Sequence, residues 1–466
     1  MGATSVFTAS PAMERALGLS PAGLQWTITA ATLPAGALLL SGGRLADRLG
    51  ARRMFLTGLS LLLAGSLACG LAPGAVVLIC ARAVQGAAGA VLTPAALSLV
   101  IRTFDGEAEQ RSALAVWSAV GGIGATSGLL LGGAVTAGLG WRWVFLINVP
   151  VTAVMLAICP LIVVDPAGRE QSGQADTSGT LSFSAGLALV IYAISQVPGL
   201  GWLDWRTAGL GLAGVATLGI FARIEAVSAS PIIPSWLVRS RTLVAGNVTM
   251  VVAGMCVDGL LFTLTLLTQR IWGYSALEFG CAAAVMTVTS VGASWVAQRA
   301  IAKLGTGPVT TAGLALLCLT GVIFVLAATV SGMTVLLILG MVVFGTGMGL
   351  VFVAGSVASL HDVSEENSGV ASAVQNISFT MGSALGVAVV STIAAATTRH
   401  LASHVASHVA SHVASHVASH GSINPAALTS GYRAALGGAA VIAALGLAAT
   451  AAISGRRRAV TAPQEH

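Results

Sequence analysis

Of the sixteen acidic residues in this 466-residue chain, fifteen fall in loops, at the edges of apolar stretches or at the terminus. Asp258 alone sits deep in an apolar stretch, VVAGMCVDGLLFTLTLL. A low-dielectric surround disfavours an ionised carboxylate, so a residue placed this way can load and release a proton as its surroundings change. Acids within a membrane span are functional by default. A structural alternative stands beside that reading: an aspartate bonded to Thr263 or Asn247 of its own helix. Arg82 is the matching exception among the bases, the one basic residue inside an apolar stretch. A guanidinium at the bilayer centre costs about 2.5–3.5 kcal/mol on insertion scales. Arg82 must therefore face a wet cavity or a partner, or be held by backbone carbonyls. Gln85 and Gly86 follow on adjoining helical positions.

A second pattern with chemical potential lies near the C-terminus, HLASHVASHVASHVASHVASH. His400, His404, His408, His412, His416 and His420 recur every four residues. On a helix, two histidines at that spacing can share a zinc or copper ion. The tract holds no acid or cysteine to complete a tetrahedral shell, and its flanks, TTRH and GSINPAALTSGYR, read as loop. A four-residue unit is also what replication slippage expands, and exposed backbone tolerates such insertions. Weak surface chelation and neutral expansion both fit. The six cysteines lie in apolar stretches without a CxxC pair, so neither a disulfide framework nor a zinc site is indicated. No nucleophile elbow, phosphate-binding loop or zinc-protease motif occurs, and no resident cofactor is expected. No soluble segment is large enough for an ATPase, so any work must draw on an ion gradient or a solute's own gradient.

These residues need elements to hold them, and composition says which kind. The chain is 56% hydrophobic and only 8% charged, with mean hydropathy +0.90. A soluble protein carries about a quarter charged residues; this one dissolves in a bilayer. A membrane-crossing helix needs about 20 mostly apolar residues. Thirteen stretches qualify: 24–43, 54–72, 76–100, 112–137, 143–164, 180–198, 207–223, 243–268, 276–297, 308–327, 333–358, 368–396 and 430–454. A fourteenth, before Glu14, is too short to span and reads as a truncated first helix, either a late start or a true half-helix. It lacks the basic start and sustained apolar core of a signal peptide.

Orientation follows from the basic loops. Fifteen Lys and Arg residues fall on one side, among them Arg44, Arg48, Arg52, Arg53, Arg299, Lys303 and Arg456–Arg458, and six on the other. The rich side is the cytoplasmic one, and it carries the C-terminus. Trp26, Trp141, Trp143, Trp202, Trp205 and Trp272 mark the outer boundary, and the histidine tract lies on the outer face between the last two spans. The net charge of +6 forms no concentrated basic and aromatic patch, so no nucleic-acid partner is expected.

RLADRLGARR (44–53) and RAIAKLGTGP (299–308) are both short basic turns between consecutive spans, with Leu49-Gly50 matched by Leu304-Gly305. Two six-span halves with two inserted spans between them produce this repeat. Parallel repeats of that kind are a recurring transporter plan, with the substrate site between them at the midplane. The expected divisions are residues 1–164, 165–240 and 241–466.

The stretch GGRLADRLGARR resembles the loop motif of the major facilitator superfamily, and RAVQGAAGA (82–90) resembles the fourth-span motif of its drug:proton antiporters. GATSGLLLGGAVTAGLGWRWVFLINVPV (124–151) looks like the fifth-to-sixth-span region of the fourteen-span branch, and GYRAAL before the last span fits as well. The resemblance implies an all-α integral membrane protein of the major facilitator fold with fourteen spans. It implies an inner-membrane exporter of a small amphiphilic or hydrophobic compound in exchange for protons, working as a monomer. By the same resemblance Gly43, Arg44, Asp47, Arg48, Gly50, Arg52 and Arg53 form a cytoplasmic latch between the halves, and Arg82 takes part in proton coupling. In the expected cycle Asp258 loads a proton from outside and releases it inward, with Arg82 lowering the cost of the charge. Gly124, Gly128, Gly132 and Gly133 form a ladder for close helix packing.

Three departures bear on coupling. Related antiporters carry an Asp nine residues before a first-span proline, where this chain has Gly2 before Pro11. Leu129 stands where the glycine motif has proline. Ala302 takes the place in the second turn that Asp47 holds in the first. They keep a proton-independent uniporter or importer open as an alternative.

Overall fold

The computed structural model describes residues 5–103, 109, 124, 128–162, 177–201, 204–227, 240–329, 334–359, 363, 368–412 and 425–460. Among these the regular structure is entirely helical. The first elements are α1 (Ser5–Leu17), α2 (Pro21–Ala37), α3 (Leu39–Leu49), α4 (Ala51–Gly70) and α5 (Ala75–Thr103). Then come α6 (Gly128–Gly138), α7 (Trp143–Leu146), α8 (Asn148–Ile162), α9 (Thr177–Leu200) and α10 (Trp205–Val227). Helix α11 (Arg241–Leu266) runs into a π-helical turn at Leu267–Ile271. It is followed by α12 (Ala276–Leu304), α13 (Thr306–Ala327), α14 (Thr334–Ser359), α15 (Ser368–His412) and α16 (Pro425–Val460).

Eleven of the described helices are long and apolar enough to cross a bilayer, and α2 with α3 makes a twelfth as one bent span. These coincide with twelve of the thirteen apolar stretches. The remaining stretch, 112–137, is represented by α6, with most of its other residues outside those described. Helix α1, thirteen residues long, occupies the place of the half-helix expected before Glu14. Fourteen spans are compatible with this arrangement.

Local chemistry explains the breaks. Ser20 caps α2 by accepting from the Gly23 N–H at 3.1 Å, with Pro21 at the first helical position, where its missing N–H is no loss. Pro34 lies inside the apolar run just before the 46° bend between α2 and α3; proline removes one ladder bond and crowds the preceding turn. Gly50 ends α3 and starts α4 with φ 92°, and Gly305 does the same between α12 and α13 with φ 82°. Both basic turns of the internal repeat are thus made by a glycine in a region closed to other residues.

Helix α11 is the most enclosed of the described spans. It packs on α14, α15 and α16, while α13 joins α14 and α16; in the other group α5 packs on α2, α3 and α4. The pair α9 and α10 pack on each other, and α9 lies against both α2 and α15. Large apolar side chains such as Leu161 (82% exposed), Val335 (73%) and Leu181 (70%) face outward. That inverted exterior is what a lipid surround requires.

The histidine tract differs from the expected loop. Helix α15 continues without a break through His400, His404 and His408 to His412. An alanine-rich repeat without glycine or proline has good helix propensity, so the span simply prolongs. His400 is exposed, and His416 and His420 lie outside the described residues.

Candidate functional site

Asp258 sits midway along α11, and its carboxylate accepts a hydrogen bond from the Ser383 hydroxyl of α15. Neither Thr263 nor Asn247 takes the role the sequence suggested. The Thr263 hydroxyl donates to Gly259 O of its own helix at 2.8 Å, and Asn247 accepts from Ser378 at 3.1 Å. The partner comes from the neighbouring helix because the two backbones are very close. A side chain added at Gly382 or Gly386 would meet the backbone of Val251 or Met255, and one at Gly254 would meet the Phe379 carbonyl. The GSALG segment of α15 (382–386) therefore sets the distance across which Ser383 reaches. Nearer the start of α15, Gln375 donates to the Ser356 hydroxyl of α14 at 2.6 Å.

Arg82 is only 4% exposed. Its Nε donates to the Thr27 carbonyl of α2 at 2.9 Å, and its Nη1 to Gln85 Oε1 at 2.8 Å. Gln85 in turn donates to the Ser66 hydroxyl of α4 at 3.0 Å, and the guanidinium lies 5.9 Å from the Phe145 ring centre. The i, i+3 spacing of Arg82 and Gln85 puts both on one face of α5, where together they tie α2, α4 and α5. Gly86 lets α5 close on α2, since an added Cβ would lie 3.0 Å from the Ala31 Cα. No hydrogen bond or ion pair joins Arg82 to Asp258: the partners of one lie in α2 and α5, that of the other in α15.

The glycine ladder reaches two different helices. A Cβ on Gly132 would lie 2.7 Å from the Ser5 Cα and from the Thr8 hydroxyl of α1. One on Gly133 would lie 3.2 Å from Gly280 of α12 and against the Ala276 carbonyl. Gly128 is buried and Gly124 half-buried. Leu129, standing where the related motif has proline, is a core side chain, 2% exposed.

Against this geometry, the Major Facilitator Superfamily profile matches residues 1–387. The chain belongs to the Major Facilitator Superfamily. It is 34% identical over 418 residues to the puromycin resistance protein pur8 of Streptomyces alboniger, covering 86% of this chain and 80% of that protein. To the multidrug resistance protein Stp of Mycobacterium tuberculosis it is 29% identical over 396 residues, covering 85% and 73%. In fold it is similar to the crystal structure of an auto-inhibited POT family peptide transporter, with a TM-score of 0.67 at 16% identity, covering 98% and 96% of the two chains. Like these relatives it is a multi-pass membrane transporter of the superfamily.

The stretch that resembles the superfamily's loop motif, residues 42–53, spans the end of α3, the Gly50 turn and the start of α4. Arg44 Nη1 donates to the Thr180 hydroxyl of α9 at 3.1 Å. Arg52 Nη2 donates to the Pro160 carbonyl at 2.7 Å, two residues before the C-terminus of α8, where a cation suits the helix dipole. Arg48 and Arg53 are exposed, Gly43 is half-buried near Pro94, and the side chain of Asp47 lies outside those described. Sequence reasoning missed Thr180, because nothing in the inserted span marked a partner for the first half. It also missed Ser383, although that serine stands inside the GSALG segment recognised for packing. A third omission is Arg270, which joins Glu14 of α1 to Tyr432 of α16.

Proposed function

We propose that this superfamily member exports a small, hydrophobic or amphiphilic antibiotic-like compound across the bacterial cytoplasmic membrane in exchange for protons. The single observation that carries the reading is Asp258: a deep carboxylate on the most enclosed of the described spans, paired with a neutral serine and, among the described residues, with no cation. A carboxylate held that way gains little that fixes its charge, so changes in packing and water access govern its proton. In our reading the two six-span halves, residues 1–164 and 241–466, rock about a midplane cavity, with the pair 165–240 inserted between them. Asp258 takes its proton from the outside and releases it inward. Arg82 braces α2, α4 and α5 beside the pathway, and the loop motif from Gly43 to Arg53 latches the cytoplasmic side through Arg44 and Arg52. The chain works as a monomer with its C-terminus in the cytoplasm. That its relatives are resistance proteins for puromycin and for multiple drugs supports a xenobiotic or self-resistance substrate.

The test is a susceptibility panel of hydrophobic antibiotics, puromycin included, in cells with the gene deleted and restored. Restored resistance together with lower intracellular drug is expected. Unchanged accumulation of every compound would overturn export.

A further inference from the structure

The arginine-poor end of the α9–α10 pair holds a cavity that the transport cycle leaves unused. It measures about 570 Å³ and opens to the protein's surroundings, within the size range of pockets that take small ligands. Tyr192, Gln196 and Leu200, at four-residue steps on α9, form one wall, and Trp205, Arg206 and Leu210 of α10 form the other. Gly209 leaves the α10 wall open, since a Cβ there would meet no atom within 4 Å. Trp26 of α2 stands beside it, its ring centre 5.6 Å from that of Tyr192.

The polar groups of this cavity are mainly donors. Gln196 Nε2 donates to the Tyr192 hydroxyl at 2.9 Å, which leaves the phenol proton for a further acceptor. The Arg206 guanidinium lies 5.4 Å from the Trp205 ring centre and forms no hydrogen bond or ion pair among the described residues. Asp204 does not neutralise it: that carboxylate accepts from the Arg206 backbone N–H at 2.9 Å, at the first turn of α10. A guanidinium and a phenol O–H lining one space suit an anion with several oxygens. The carboxylate close by favours an anion of single charge over a doubly charged one. Trp205 is 75% exposed, and further down α10 Leu212 (71%), Val215 (63%) and Ile220 (56%) continue an apolar face into the membrane interior. A singly charged, oxygen-rich head carrying hydrocarbon tails matches both parts.

We propose that this cavity binds the headgroup of an anionic phospholipid of the outer leaflet, with its phosphodiester held by Arg206 and Tyr192 and its acyl chains on the exposed face of α10. The choice of leaflet rests on the orientation proposed above; the binding itself does not. Helix α10 packs chiefly on α9, and α9 is bonded to α2 through Gln25 and Ser195 O. A lipid seated between Tyr192 and Arg206 therefore fastens the outer end of α10 to a helix already tied to the first half.

The test is native mass spectrometry of the full chain with phosphatidylglycerol, phosphatidylcholine or inorganic phosphate added, alongside melting temperatures in detergent. Wild type should retain phosphatidylglycerol, melt higher with it, and hold the net-neutral phosphatidylcholine roughly fivefold more weakly. Inorganic phosphate should not displace the lipid. Arg206→Gln, a change at an exposed side chain, should weaken phosphatidylglycerol roughly fivefold. Tyr192→Phe, which keeps the ring beside Trp26, should weaken it too. Gly209→Phe fills the cavity from a position with open space around it, and should lose the bound lipid while its lipid-free melting temperature stays that of wild type. Arg433→Gln, at an exposed arginine on α16, should bind as wild type does. Wild-type retention in both Arg206→Gln and Gly209→Phe, equal retention of the two lipids, or an equal loss in Arg433→Gln would overturn the site. Displacement by inorganic phosphate would overturn the lipid and leave a small-anion pocket. Because no transport is measured, failure of the exporter reading would leave this result standing, and the reverse holds as well.

Discussion

Ser383 and Arg82 carry opposite kinds of burden at the residue scale. The Ser383 hydroxyl serves one acceptor, the carboxylate of Asp258, and a hydrogen bond to a charged group contributes about 1.5–3 kcal/mol. Ser383→Ala should therefore leave folding intact and shift the external pH at which transport is half-maximal, read from uptake into everted vesicles. An unchanged profile would reduce Ser383 to packing. Arg82 instead satisfies the Thr27 carbonyl and Gln85 at once. Arg82→Lys keeps the charge, but a compact ammonium cannot reproduce the planar fork that serves both. Leaving one buried acceptor unmet costs about 1–3 kcal/mol. Lower thermal stability in detergent is expected, with transport cut by roughly tenfold or more, a barrier change of about 1.4 kcal/mol. Both residues were legible as exceptions to an apolar pattern. Their partners were not, because hydrogen bonding across helices depends on rotation about each helix axis, which a hydropathy pattern leaves open.

Helices in lipid gain no hydrophobic attraction for one another, so close backbone approach has to supply the packing. The glycine positions do that work at the scale of elements. Gly133→Leu would drive a branched side chain into the Ala276 carbonyl and Gly280, and overpacking of this kind costs about 1–3 kcal/mol. A melting temperature well below wild type is expected, whereas the same change at Gly138, with open space around it, should be nearly silent. Equal losses at both positions would argue against a packing role for the ladder. The spacing of the ladder could be read directly, but not that Gly132 and Gly133 serve different helices. Helix boundaries were legible wherever a proline, a glycine turn or a basic run interrupted the apolar pattern. The histidine tract escaped because its flanks suggested a loop while its alanine-rich repeat has the propensity of a helix.

In the division proposed above, α9 and α10 are the inserted pair, and their contacts tie the described helices together. Helix α9 is bonded to the first half along its length: Gln25 to Ser195 O at 3.3 Å, Ser41 with Ser184 at 2.8 Å, Arg44 to Thr180 at 3.1 Å. Against α15 it presents apolar side chains, with Phe183, Leu187 and Ile191 clustered on Ile377 and Ala384. Polar links hold one register, while an apolar face can slide. In a cysteine-free background, a disulfide between Ser41→Cys and Ser184→Cys should leave transport intact. One between Leu187→Cys and Ala384→Cys should arrest it. The reverse pattern would attach the insert to the second half. The membrane class, the described spans and the glycine turns at Gly50 and Gly305 were legible from composition and sequence pattern. The side on which α9 is tied was not, since its few hydroxyl residues are spread through an apolar run and do not show which neighbour they meet.

The claim on which the account turns is that Asp258 carries the exchanged proton. Its direct measure is drug efflux from proteoliposomes with and without an imposed pH gradient, comparing wild type with Asp258→Asn at matched protein levels. The account predicts that wild-type efflux accelerates with the gradient, and that the variant, equally well inserted, loses that acceleration entirely. Gradient-driven efflux undiminished in Asp258→Asn would contradict it.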